Sequence, residues 1–318
     1  MKIYNLENSF ISAEFLSLGA TVLRLTIKPL ERNVILTNRN LADYKKADAG
    51  YYGATVGPVA GRIKNARYKI GEKVVELDKN EHNKNTLHGG PNGFSFQEFT
   101  VKEQTKERIV FMYEHFENVD KFNGDYIVYV VYTLLSDGIS AEYAVKTKER
   151  TLLNITNHAY FNLDSSGDIL KHELKANTIG YYDFDDEQIN TNFIKLSPGD
   201  ALDLSKKKEL KELVFNPALY KRPSCGLDHL YVLHDGKIVF KGQNLSLEVT
   251  SNYAAVQLYA TNFPAPYLVE NFGKLQKHAA LAIEPVDVVR EKDGKYEEIE
   301  IGADETYYRK ITYKFTLF

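Results

Sequence analysis

The feature that most constrains this chain is a side-chain period of two that recurs along its length. Ala13, Phe15 and Ser17 fall on one side of the segment Ala13 to Ile27, and the phase then shifts near Gly19. A glycine at such a shift predicts a bulge or bend. Tyr126 to Leu134 is dense in β-branched and aromatic residues. Ser136-Asp137-Gly138 follows as a turn and Ile139 to Thr147 alternates again, which predicts a hairpin. Leu245 to Thr250 and Ile311 to Phe318 repeat the pattern. Alternation of this kind places successive side chains on opposite faces of a strand. The 22 Tyr and 17 Phe residues fit it, because their rings pack well on a pleated surface.

Helical signals are few. Ser205 to Leu213 starts on a residue suited to an N-cap and predicts one short helix, and Leu41 to Ala47 predicts another. Many strands without a βαβ rhythm point to a large antiparallel β-sandwich with a few short helices. No repeat period and no Pro/Gly/Ser linker interrupts residues 1–318, so a single domain is expected.

Charge and cysteine content narrow the functional classes. A net charge of −3 creates no field that would hold a polyanion. The run Lys206-Lys207-Lys208 reads as a solvated helix face, so no nucleic-acid partner is expected. The single cysteine, Cys225, excludes an internal disulfide and suits a reducing compartment. The N-terminal residues lack the apolar core of a signal peptide, and no apolar run approaches the roughly 18 residues that cross a bilayer. A cytoplasmic protein without a membrane partner is expected.

Gly-x-Ser-x-Gly, P-loop and Gly-x-Gly-x-x-Gly motifs are absent, and His82 and His88 have no nearby third ligand. No metal site or cofactor is therefore expected. Four other stretches set an ionisable residue among apolar or turn residues: Val56 to Ile63, Thr86 to Phe94, Asn154 to Leu163, and Leu281 to Pro285. A charged group in such surroundings is costly unless paired, which invites a functional reading. Taken singly, each has a plain structural reading. His158 fits a hydrogen-bonded core histidine, Arg62 an ion-pair partner, His88 turn chemistry before Gly89-Gly90, and Glu284 an edge-strand acid. Asn154, Thr156, His158, Tyr160 and Asn162 would share one face of a strand. A polar and aromatic face suits a sugar, which offers hydroxyls at its edge and C–H surfaces on its flats.

These stretches resemble the aldose 1-epimerase (galactose mutarotase) family. Its Val-Gly-Arg-x-Ala-Asn-Arg-Ile pattern is similar to Val56 to Ile63, and its Leu-His-Gly-Gly matches Leu87 to Gly90. Its Asn-x-Thr-Asn-His-x-Tyr-Phe-Asn-Leu matches Asn154 to Leu163. The Asp of its sugar-binding loop resembles Asp228, its Gln-x-Tyr-Thr-x-Asn-Phe stretch resembles Gln257 to Phe263, and its late glutamate matches Glu284. The resemblance runs from about residue 50 to the end of the chain.

The resemblance implies a supersandwich with an aldose on one concave sheet. It also implies that Glu284 takes the proton of the C1 hydroxyl while His158 protonates the ring oxygen. The ring would open to the aldehyde, turn about C1–C2 and close as the other anomer. Arg62, His88, Asp228 and Gln257 would fix the hydroxyls, and Tyr160 or Phe263 would stack on the ring. The protein would act as a monomer or homodimer.

The chain departs from the family pattern at Pro58 and Gly61, at Lys121 to Gly124, and in the short charged segment Val288 to Glu298. These departures bear on sugar affinity rather than on the reaction, and leave the preferred aldose open. Two alternatives stand beside this reading. One is an epimerase of a phosphorylated hexose, or another carbohydrate-active enzyme on the same scaffold. The other is a sugar-binding module without catalysis.

Overall fold

The computed structural model describes residues 1–220 and 224–318. The alternating segments form strands, and two sheets face each other. A four-stranded sheet is built from Ile3–Glu7, Ile11–Leu16, Thr21–Ile27 and Arg32–Asn33. It packs on a thirteen-stranded sheet that carries most of the chain. Phe15 is the clearest contact between them, stacked on Tyr132 with ring centroids 4.7 Å apart. The packing follows from the pattern: Ile11, Ala13 and Phe15 are buried on the inner face, while Ser12 and Glu14 are not.

In the large sheet, Thr100–Gln104 leads through Arg108–His115, Tyr126–Leu135 and Gly138–Thr147 to the C-terminal strand Thr306–Leu317. From there the order is Leu245–Ser251, Asp228–Lys241, Ala255–Tyr259, Leu281–Val286 and Tyr160–Phe161. These neighbours pair antiparallel. Strand Asp228–Lys241 serves two partners in turn on one edge. Asp228 to Val232 pairs with Ala255–Tyr259, and Lys237 to Lys241 pairs with Leu245–Ser251. Glu173–Phe184 runs along its other edge.

Three local expectations are resolved. The phase shift near Gly19 is a reverse turn between two strands, the bend of the two alternatives, and a register shift follows where Glu14 and Phe15 face Arg24 and Val22 and Leu23 is the extra residue. The helix expected from Ser205 is Leu210–Val214, with Glu209 as N-cap and a capping box to Glu212. Lys206 and Lys207 are exposed but not helical, and Lys207 pairs with Glu173 at 2.9 Å. The Leu41 expectation becomes a 3-10 helix, Leu41–Lys45, capped by the Asn40 side chain. Among the described residues no helix is long and apolar enough to cross a membrane.

The hairpin at residue 137 has Leu135 opposite Gly138, so its loop is Ser136-Asp137. Gly138 belongs to the strand. Its lack of a side chain answers a close approach, because a Cβ there would lie 2.0 Å from the Tyr313 carbonyl oxygen. That oxygen is backbone and cannot rotate away. Gly138→Ala is therefore expected to destabilise the fold by about 1–3 kcal/mol, read as a lower urea midpoint at unchanged m-value.

Candidate active site

The register of the large sheet assembles the site. Antiparallel partners share a face, as do residues two apart. Tyr160, Ala282, Tyr259 and Asp228 thus form one row, and Glu284, Gln257 and Leu230 form the next. The intervening residues Leu258, Ile283 and Tyr231 point the other way, into the main core. The same strands therefore supply core on one face and a functional surface on the other. That surface floors a cavity of about 260 Å³. The volume lies just under the roughly 300–1,000 Å³ of drug-sized ligand sites, and suits a single sugar ring.

Glu284 lies in the all-buried strand Leu281–Val286 and is 3% exposed. Gln257 faces it from Ala255–Tyr259, and on the other side Tyr160–Phe161 pairs with Leu281 and Ala282 of the same strand. Glu284 Oε1 lies 3.4 Å from Nε2 of His158, which is 4% exposed. Burial pushes the Glu284 carboxyl well above the usual carboxylate range, and the charge of Asp228 adds to the shift. Burial pushes the His158 imidazole down to about 4. Each group is thus driven toward its neutral form, and the proton between them belongs to the pair. His158 is also packed in rings: Tyr160 stacks on it at 4.9 Å, Tyr51 at 6.0 Å, and His88 meets it edge-on at 5.2 Å.

His88 comes from the Leu87-His88-Gly89-Gly90 turn. Gly89 has φ +83°, and a Cβ there would lie 1.9 Å from the Gly57 carbonyl oxygen, so the turn needs glycine. The Gly61 N–H donates to Nδ1 of His88 at 3.3 Å, which leaves the ring proton on Nε2. Burial, with the neighbouring His158 and Arg62, holds His88 well below the usual histidine range. A neutral ring with a fixed N–H donor results.

The opposite wall is a chain of hydrogen bonds. Arg62 grips Glu81 through Nε at 2.9 and 3.0 Å and through Nη2 at 2.8 Å. Nη2 also donates to Gln188 Oε1 at 2.9 Å. Gln188 and Gln257 each donate an amide N–H to Asp228, at 2.7 and 2.5 Å. Burial raises the Asp228 carboxyl, while Arg62 and the two amides oppose that shift.

His158, Glu284, Arg62, His88, Tyr160, Asp228, Gln257 and Phe263 all line this one cavity. Phe263 stands at the mouth, 58% exposed. The single strand expected from Asn154 to Asn162 does not form: Thr156–Asn157 pairs with Thr55–Val56, Tyr160–Phe161 pairs with Leu281–Val286 in a different sheet, His158 lies between the two, and most of the polar atoms are spent elsewhere. The Asn154 amide donates to the Ala60 and Asp287 carbonyls, Thr156 to Pro285, and Asn162 to Ser166 and Ala279. These bonds tie the segment to strand Leu281–Val286 and its flanks, and so set His158 opposite Glu284. Pro58 and Lys121 to Gly124 do not line the cavity, and Phe122 stacks on Tyr68 instead.

Tyr51, Glu81, Gln188 and Tyr259 were not singled out from sequence. Tyr259 carried a usable signal, since it lies two residues from Gln257 on a strand. Glu81 and Gln188 sit in polar loops whose composition marks only a turn. Among the described residues no group of three or more His, Cys, Asp or Glu is placed to hold a metal ion.

Fold and site together define a sheet-borne cavity, small and polar, on which a buried imidazole and a buried carboxyl meet. The chain belongs to the aldose 1-epimerase family, whose model matches residues 2–314, and is an isomerase of that family. It is 30% identical to the galactose mutarotase of Mus musculus over 294 residues, 88% of this chain and 84% of the relative. It is 28% identical to the aldose 1-epimerase of Haemophilus influenzae over 283 residues, 85% and 82% of the two chains. The crystal structure of an aldose epimerase homologue from C. elegans superposes with a TM-score of 0.89 at 26% identity, covering 99% of both chains. The galactose 1-epimerase of Lactobacillus acidophilus shares the fold, with a TM-score of 0.86 at 22% identity over 98% and 93% of the chains.

Proposed function

We propose that this enzyme interconverts the α and β anomers of a free hexose, with Glu284 as base and His158 as acid. The observation that carries this reading is the 3.4 Å contact between the two groups on the cavity wall. The C1 hydroxyl oxygen and the ring oxygen of a pyranose are bonded to the same carbon, so an adjacent acid and base reach both. The pair's single proton can sit on either partner across the contact, and in the reactive tautomer it sits on His158: the Glu284 carboxylate takes the hydroxyl proton as His158 gives its proton to the ring oxygen, and the C1–O bond of the ring breaks. After rotation about C1–C2, His158 recovers the ring-oxygen proton and Glu284 returns the other as the ring closes. The pair ends with the single proton it began with.

Arg62, His88, Asp228 and Gln257 offer donors and acceptors to the remaining hydroxyls, and Phe263 offers an apolar face at the mouth. Because Arg62 is already held by Glu81, the wall lacks an unneutralised cation at that point, which disfavours a phosphorylated sugar. The likeness to galactose mutarotases supports galactose among the substrates to be tried. The continuous run of pairing from Thr100 to Leu317, with the N-terminal sheet packed on it, supports one domain. The single cysteine supports a reducing, cytoplasmic setting.

Polarimetry tests the reading. Freshly dissolved α-glucose or α-galactose should reach equilibrium rotation faster with the protein, and failure with every aldose of a broad panel would overturn it. Release of reducing sugar from a disaccharide would favour a hydrolase instead. The pH profile of kcat/KM is expected to be bell-shaped, because the active pair carries one proton. On the acid side the rate falls as pH drops through about 4, where the depressed His158 takes a second proton and Glu284 cannot accept. On the alkaline side it falls as pH rises past the raised Glu284 value and the pair loses its last proton.

A further inference from the structure

Gln188 joins the two charged groups of the cavity wall. Its Oε1 accepts from Arg62 at 2.9 Å and its Nε2 donates to Asp228 at 2.7 Å. The partners decide the orientation of this amide. Turned over, it would set its NH₂ against a guanidinium and its oxygen against a carboxylate.

The backbone is built to deliver the side chain there. Gln188 has φ +57°, a left-handed conformation uncommon outside glycine. Asp185 Oδ1 accepts from the N–H groups of Glu187 and Ile189 at 2.9 and 3.0 Å, and the Gln188 N–H closes the turn on the Asp185 carbonyl at 2.9 Å. Glu187 pairs with Lys84 at 2.5 Å and accepts from Asn85 at 3.2 Å. The turn is thereby fastened to the segment that carries Glu81 and His88. A strained residue held on several sides and aimed into a cavity is a pattern found at functional sites.

Without Gln188, Asp228 keeps a single amide donor, from Gln257, and nothing spaces its carboxylate from the Arg62 guanidinium. The two would be drawn into a direct ion pair, and a sugar hydroxyl would have to compete with it. We propose that Gln188 is the positioning residue of the sugar wall, holding Arg62 as donor and Asp228 as acceptor in one fixed arrangement that selects among hydroxyl patterns. This rests on the anomerase reading above.

The test is steady-state mutarotation of glucose, galactose and xylose by the intact protein and two variants. Gln188→Ala is expected to raise KM for the preferred sugar about tenfold or more, with kcat held within about threefold and with discrimination among the three sugars flattened. Gln188→Glu keeps the shape and the acceptor toward Arg62 but sets a carboxylate against Asp228. It should show the same KM defect at neutral pH and regain affinity as pH falls and the new carboxyl takes a proton. Should Gln188→Ala fail to fold, Gln188→Glu carries the test. An unchanged KM and unchanged sugar discrimination in an active protein would overturn the inference, as would a loss confined to kcat. If the unsubstituted protein accelerates none of the sugars, the anomerase reading itself fails.

Discussion

Glu284→Gln is expected to lower kcat for mutarotation by about 10²–10⁴-fold while sugar binding persists. The amide keeps the size of the side chain but cannot take the C1 hydroxyl proton. His158→Asn should lose a similar factor, because it removes the group placed to protonate the ring oxygen. The two losses are not expected to add. One proton is shared by the pair across 3.4 Å, so removing either partner disables the same transfer. Polarimetry gives the rates and calorimetry with the same sugar gives the retained affinity. A Glu284→Gln enzyme with near-normal kcat would remove Glu284 from the chemistry.

The same substitution has a stability signature of known sign. Burial raises the folded-state pKa of Glu284 above its unfolded value near 4.5, so the native chain binds that proton more tightly than the unfolded chain. The stability this brings is fully present below the unfolded pKa and is lost as pH rises through the folded value. Glu284→Gln has nothing to ionise and escapes that loss. Its Tm should therefore gain on that of the parent as pH rises. A variant that gains stability while losing activity is the expected trade at a site kept for chemistry.

The second large effect is expected at Arg62. Arg62→Ala leaves the Glu81 carboxylate, whose side chain is 12% exposed, without its bidentate partner. Breaking a largely buried pair in this way costs roughly 3–5 kcal/mol, because the surviving charge remains desolvated. Urea unfolding reads this directly. KM should rise as well, since Gln188 Oε1 loses the Arg62 donor and the wall loses its cation. Arg62→Ala combined with Glu81→Gln should recover part of the stability but little of the affinity. If Arg62→Ala unfolds within about 0.5 kcal/mol of the parent, the pair contributes no more than a surface salt bridge.

Much of this architecture was legible in the sequence, for physical reasons that differ by element. Strands such as Tyr126–Leu135 announce themselves because period two and β-branched content coincide. Glu284 drew notice as an ionisable group in an apolar run and His158 as one among dense polar and aromatic residues, but it was the family resemblance, not either residue alone, that paired them. The Asn154 to Asn162 stretch misled in part. It is broken into two short strands that join different sheets, and Asn154, Thr156 and Asn162 use their polar atoms on backbone carbonyls; a sequence does not say whether an amide faces a ligand or a peptide group. Gly138 was assigned to the turn but opens the following strand, and the need for glycine there was illegible because the close approach of Tyr313 depends on a strand about 175 residues away in the chain. Gln188 and Glu81 were illegible for the same cause. Their partners lie far off in sequence, and loop composition reports solvent contact rather than which loop tip will meet which.

The alternation of core and cavity residues along Leu281–Val286 has an evolutionary consequence. Slipping that strand by one position would turn Ile283 into the cavity and Glu284 into the core, so intermediate states do not exist. Insertions and deletions there are all-or-none, and selection has no gradual route through them. Change in sugar preference is instead channelled to the segments around residues 81–88, 185–190 and 259–263, which bring Leu87, His88, Gln188 and Phe263 to the cavity from outside the strand ladder. Lineages of this fold should therefore diverge in those segments while the strands beneath them keep step.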